Sequence, residues 1–220
     1  EVWARLPNTF KLAATSTIIA IVLALPLGVI AAIKQNTLFD GVSMFISLLG
    51  ISIPIFWFGL LLILLFSVTL GWFPVSGADQ GLKSLVLPSL ALGFQHMAAI
   101  ARTTRSSMLE QIRQDYIRTV RAKGLPEGEV ITKHALRNAL IPTTTVIGLQ
   151  MGQMLGGSVL TESVFAWPGI GRYMVQSIQG RDIPSVMGCI IIFAISFALI
   201  NLLVDLIYGF IDPRIKAQYK

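Results

Sequence analysis

Eight of the chain's 17 lysines and arginines fall within positions 102–137, and the same stretch carries Glu127, Glu129 and one of the two histidines, His134. Side chains of these types at this density suit charge-assisted docking of another molecule. They do not suit bond-making. The sequence has no Gly-x-x-x-x-Gly-Lys-Ser/Thr loop to cradle nucleotide phosphates. It has no His/Cys cluster at metal-ligand spacing and no Ser/His/Asp arrangement. The chain is read as non-enzymatic.

Docking needs a fixed surface, and the spacing supplies one. Over 107–123, Leu109, Ile112, Tyr116 and Val120 recur at three- and four-residue steps, an apolar stripe along a helix. Arg118, Arg121 and Lys123 crowd its last turns, where the helix dipole favours cations, and Gly124 is a natural left-handed stop. Pro126 suits a first helical position, with Glu127 and Glu129 in the opening turn of a second helix through Val130, Ile131, Ala135 and Leu136. The expectation is a helix–glycine–helix elbow, basic on one side.

The rest of the chain must hold that elbow at a membrane. Only 13% of the 220 residues are charged and the mean hydropathy is +0.74, against roughly 25% charged in soluble domains. The net charge of +6 sits beside apolar runs, so membrane topology accounts for it and no nucleic-acid partner is expected. The single cysteine, Cys189, excludes an intrachain disulfide.

Charge-free runs predict an all-α, polytopic membrane bundle of five spans, at about 12–33, 41–72, 84–101, 138–161 and 183–211. The run 41–72 is long for one helix and short for two. It is read as one crossing kinked at Pro54, with 41–52 tilted or partly interfacial. With 102–137 inside, Lys34, the eight basic residues of that stretch, Arg214, Lys216 and Lys220 lie inside, and Arg5, Lys11, Lys83, Arg172 and Arg181 lie outside. Short basic loops stay in the cytoplasm, so the C-terminus is expected there too.

Other residues invite weaker assignments. Gly148, Gly152 and Gly156, four apart, make a smooth face for close helix packing. Gln150 and Gln153 between them, and Glu162 at the outer end of that span, are candidates to line a polar path. His96 reads as structural. Asp205 needs a partner and reads as an anchor near the cytoplasmic interface. Trp167, in a turn-rich connection, reads as interfacial.

At the basic stretch the chain resembles a known family. Asp115-Tyr116-Ile117-Arg118-Thr119-Val120-Arg121-Ala122-Lys123-Gly124-Leu125, followed by His134-Ala135-Leu136-Arg137-Asn138-Ala139-Leu140-Ile141-Pro142, resembles the cytoplasmic signature of bacterial ABC importer permeases of the dipeptide, oligopeptide and nickel branch. Glu162-Ser163-Val164-Phe165, Trp167-Pro168-Gly169-Ile170-Gly171, Asn201-Leu202-Leu203-Val204-Asp205 and Asp212-Pro213-Arg214-Ile215 are similar to that branch too. Aligned on Gly124, the Glu-Ala-Ala of the general permease motif falls on Arg118, Thr119 and Val120, and its Leu-Pro on Leu136 and Arg137, so no salt bridge is carried over from the absent glutamate.

The resemblance implies a type I ABC importer permease fold. It implies pairing with a second similar permease, two cytoplasmic ATPase subunits that hold ATP and magnesium, and an external substrate-binding protein. No cofactor is expected in this chain. Coupling to the ATPases would fall on Asp115, Tyr116, Arg118, Arg121, Ala122, Lys123, Gly124, Leu125, Glu127, Glu129, His134, Leu136 and Arg137. Family permeases usually have one more N-terminal span, and the chain starts at Glu1, so a preceding span is expected. The cargo would be peptides or related small solutes, with nickel chelates and glutathione open. The rival class is an ion-coupled secondary transporter, which would want acidic residues at mid-membrane and two matching halves. No internal repeat is found, and Glu162 and Asp205 sit near span ends.

Overall fold

Alanines, serines and glycines at three- and four-residue steps decide how the first helix packs. In the computed structural model, which describes residues 1–211 without the side chains of Asp205 and of 207–211, α1 is Val2–Ile33 and buries Ala13, Ser16, Ala20, Ala24, Gly28 and Ala31. That face lies on α4, Leu82–Ile112. A Cβ on Gly28 would sit 2.6 Å from the Ala101 carbonyl oxygen, and one on Gly93 2.7 Å from that of Ser16. Within a bilayer such close backbone approach is a main source of helix association. The two helices run parallel and form the axis of the bundle.

At 31 residues α4 is about 46 Å long, well beyond the roughly 30 Å of a bilayer core. The expected span 84–101 and the first turns of the expected helix 107–123 are therefore one rod. The rod stops at Arg113. Gln114 turns extended (φ −70°, ψ 150°) before α5, Asp115–Ala122. A straight continuation to Lys123 would have carried Ile117 away from the bundle. The break instead buries it fully beside Ala32, Met108, Val130, Ile131, Ala135 and Ala139.

Between α1 and α4, α2 (Leu38–Ser52) and α3 (Ile55–Leu62, widening into a π-helical stretch Ile63–Thr69) meet at Ile53–Pro54 with a bend of 105°. This is far sharper than a kink, and α2 is an ordinary 15-residue helix. Their contacts walk along α4. Asp40 meets Arg105, Gly50 lies on the Phe94 carbonyl, Phe58 stacks on Phe94, and Leu62 packs with Leu87.

Past α5, a single helical run follows: α6 (Glu127–Glu129), π-helical turns Val130–Ala135, and α7 (Leu136–Val164). Then come α8 (Ile170–Gln179) and α9 (Ile183–Ile211). Among the described residues three helices, Val2–Ile33, Leu82–Ile112 and the segment Ile183–Val204, are long and apolar enough to cross a membrane, and the bent pair counted as one span makes four. α7 has the length but not the apolarity, because Thr143, Thr144, Thr145, Gln150 and Gln153 dilute it.

The glycine stripe of α7 divides. A Cβ on Gly148 would overlap Val204 of α9, and one on Gly152 would come within 3.1 Å of Asn201 and 3.2 Å of Phe197, while Gly156 has nothing within 4 Å. The close partner is thus this chain's own last helix, at two of three positions. Gly148→Leu and Gly152→Leu are expected to lower the thermal unfolding midpoint in detergent, since overpacking costs about 1–3 kcal/mol per site. Gly156→Leu should leave it unchanged. Equal effects at all three would refute this division.

Candidate functional site

The elbow has its corner at Gly124, where the spacing puts it, but its first arm is the short α5 and not one helix over 107–123. That residue has φ +81°, its N–H donates to the Arg121 carbonyl at 2.9 Å, and a Cβ there would meet nothing. Its glycine answers a backbone requirement and not a crowded space. Pro126 is the residue just before the helix (φ −65°, ψ 142°), one place earlier than expected, and Glu127 opens it.

Side chains brace the corner from both arms. Arg121 donates through Nε (3.0 Å) and Nη2 (2.6 Å) to the two oxygens of Glu127, a fork-to-fork pair across the turn. This pairing holds the Glu127 carboxyl below its usual range and raises Arg121. Lys133 donates to Glu129 at 2.7 Å, and that hydrogen bond lowers the Glu129 carboxyl. The Tyr116 hydroxyl donates to Gln111 (2.9 Å) and accepts from Asn138 (2.9 Å), tying α4, α5 and α7 together. Glu127 and Glu129 are therefore internal braces. Reversing their charges breaks the elbow as well as repainting it.

The outward surface is what these braces leave free. Arg118 and Asp115 make a loose pair at 3.6 Å with side chains 76% and 96% exposed. Ala122, Lys123, Gly124 and Arg137 are exposed, while Leu125, His134 and Leu136 are half-buried. Tyr116, Glu129, Lys133, His134, Arg137 and Asn138 line an open groove of about 590 Å³ between the two arms. The underside rests on the apolar cluster around Ile117 and Val130. The structure thus brings together the residues expected to couple, as a firm apolar-backed platform. Such a platform can transmit force. Sequence reasoning did not find Gln111 and Asn138, whose amides carry no pattern of their own.

The remaining candidates lie elsewhere. Gln150 approaches His96, its Nε2 3.2 Å from the imidazole Nδ1, so the pair joins α4 to α7. Gln153 is exposed on α7. Glu162 does not face an open path in this chain. It is fully buried, accepting from the Thr9 hydroxyl (2.8 Å) and the Arg172 backbone N–H (3.0 Å). Trp167 is also buried within the protein, and its indole N–H donates to the Asn8 carbonyl at 3.0 Å. Cys189 is buried. The side chain of Asp205 and the motif Asp212-Pro213-Arg214-Ile215 lie outside the described residues.

The chain is similar to known proteins. The family model described as "Binding-protein-dependent transport system inner membrane component" matches residues 24–217. A dipeptide transport system permease protein of Alkalihalophilus pseudofirmus is 48% identical across 98% of this chain and 73% of its own length. A glutathione transport system permease protein of Escherichia coli K12 is 46% identical across 98% of this chain and 70% of its own. Among solved structures, an inward-facing MetNI methionine ABC transporter aligns with a TM-score of 0.77 over 96% of both chains at 19% identity, a likeness of fold. The bundle has the type I ABC importer permease fold, and with the family model covering most of its length the chain belongs to the binding-protein-dependent transport system inner membrane components.

Proposed function

We propose that this chain is a membrane subunit of an ATP-driven importer of peptides or related small solutes such as glutathione, forming half of the translocation path. The observation that supports this best is the braced elbow: an ordered, outward-facing platform, with Gly124 at φ +81°, on a chain whose sequence has no nucleotide-binding loop of its own. Hydrolysis would belong to two partner ATPase subunits that hold ATP and magnesium. A second permease and an external binding protein complete the assembly. The names of the relatives point to the cargo class. The same reading takes α7 as a fifth span and places the elbow and the C-terminus in the cytoplasm. An ion-coupled transporter is less well supported, since Glu162 is tied into a buried network at a helix end.

Two experiments test this. Purification in mild detergent should bring down an ATPase pair and a second permease, and isolation of the chain alone from a cell expressing its operon would overturn the assignment. Topology is tested by labelling Glu127→Cys in a Cys189→Ser background with a membrane-impermeant maleimide. No labelling is expected in intact cells and full labelling after permeabilisation. Labelling in intact cells would reverse the orientation.

A further inference from the structure

Helix α2 is packed the wrong way round for a soluble protein. The positions it buries are Asp40, Ser43, Ser47 and Gly50, while Phe39, Val42, Phe45, Ile46, Leu48 and Ile51 stay exposed. In a membrane assembly the exposed side is left for lipid or for a partner's helices. The buried side is mostly small and polar, and its other contacts are Met44, half-buried against the α1–α4 core, and Gly50, which closes on the Phe94 carbonyl of α4. Ser47 donates to its own helix, at the Ser43 carbonyl, and makes no bond across the interface. At its far end α2 is released by the bend at Ile53–Pro54. Apart from Asp40, no residue of that face makes a charged or hydrogen-bonded contact with α4.

Arg105 of α4 donates through Nε and Nη2, each at 2.7 Å, to the two carboxylate oxygens of Asp40, a residue only 7% exposed. The second oxygen also accepts from the Asn36 backbone N–H at 3.0 Å. Arg105 stands about two turns before the end of the rod that carries the elbow. A neighbouring contact of the same linker, Arg113 donating to Gln35 at 3.2 Å, is exposed and single. The bidentate geometry fixes both distance and orientation, which a single hydrogen bond does not.

We propose that Asp40 and Arg105 are positioning residues: their ion pair pins the broken span α2–α3 to the rod bearing the elbow, so that movement of the elbow reaches α2–α3. This rests on the importer reading above. Movement of α4 then carries α2 with it, and the bend at Ile53–Pro54 turns that displacement into a change of angle of α3. Without the pair, only nondirectional apolar contacts join α2–α3 to α4, its movement is no longer passed on in full, and hydrolysis proceeds with little cargo moved.

The test uses the chain reconstituted in liposomes with its co-purifying partners, as wild type, Arg105→Gln and the near-isosteric Asp40→Asn. Uptake per ATP hydrolysed is measured, and spin-label distances are taken between exposed Phe45 on α2 and Glu110 on α4 in nanodiscs containing the subunit alone. Both variants are expected to keep hydrolysing ATP while uptake per ATP falls about tenfold or more, and the single narrow distance of the wild type should broaden. An unchanged ratio, with or without broadening, overturns the proposal. So does a lost ratio with an unchanged distance distribution, because coupling would then run by another route. Absence of ATP-driven uptake in the wild type would instead refute the importer reading, a different result from these.

Discussion

Gly124→Val is expected to abolish transport while leaving the protein inserted and its spans packed. The corner sits at φ +81° with open space around the Cβ position, so the only penalty is conformational. A β-branched residue in the left-handed region costs roughly 1–2 kcal/mol or more, far too little to unfold a bundle whose core lies in the α1–α4 axis. The chain escapes the strain by unwinding the corner, which separates Arg121 from Glu127 and swings α6 off its line. A second pair of variants isolates the brace. Arg121→Glu puts two carboxylates across the turn and should fail as Gly124→Val does. Arg121→Glu with Glu127→Arg should regain at least part of the uptake, although its fork is built in reverse. As the pair is half exposed, its own worth is only about 0–1 kcal/mol, so a stability assay will barely register it and uptake will. Its pH dependence has a definite sign. A carboxyl whose folded pKa is lowered stabilises above its ordinary value and loses that contribution as pH falls through the lowered one. The elbow should thus be indifferent to pH near neutrality and loosen only below the normal glutamate range. Wild-type uptake and substrate-stimulated hydrolysis in Gly124→Val would make the elbow a passive loop.

Much of this architecture is legible in the sequence because membranes impose simple rules. Long charge-free runs between basic residues locate α1, α4 and α9, and a glycine between two apolar-striped, charged segments locates the corner. What the sequence hides depends on partners far away along the chain. The break at Gln114 follows from Ile117 needing the same apolar cluster as Val130 and Ala139, which no local window contains. The bend at Pro54 is visible as a proline, but its 105° depends on where α4 offers Phe94 and Leu87. Asp40 is invisible as half of an ion pair because Arg105 lies 65 residues on. The glycines of α7 look alike in sequence, and only α9 tells Gly148 and Gly152 from Gly156. Glu162 misleads for a related reason. At the end of an apolar run an acid is read as solvent-facing, whereas here the chain folds back and wraps it.

That wrapping makes Glu162 and Gly169 the pair with the largest expected effect on stability. The carboxylate at the end of α7 accepts from Thr9 of α1 and from the Arg172 N–H at the start of α8. Thr9 in turn accepts from the Ile170 N–H at 2.9 Å, and Arg172 donates to the Ala166 carbonyl at 2.6 Å, holding a turn in which Ala166 has φ +50°. Three helices meet on one acid. Glu162→Leu removes the acceptor and leaves buried donors without partners, at about 1–3 kcal/mol for each group. Gly169 is needed for a steric reason alone, since its φ of −98° and ψ of −177° suit any residue, yet a Cβ there would overlap the Glu162 carboxylate. Gly169→Ala should therefore be nearly as damaging as Glu162→Leu, a large cost for one methyl group. The two lesions are predicted to be coupled. Glu162→Asp draws the carboxylate back by one methylene, and the double variant Glu162→Asp with Gly169→Ala should unfold at a higher temperature than Gly169→Ala alone. Thermal unfolding in detergent, followed by tryptophan fluorescence from the buried Trp167, reads this directly. Gly169→Ala melting like wild type, or a double variant showing only the sum of its two losses, would mean that the carboxylate does not occupy the space that glycine leaves open.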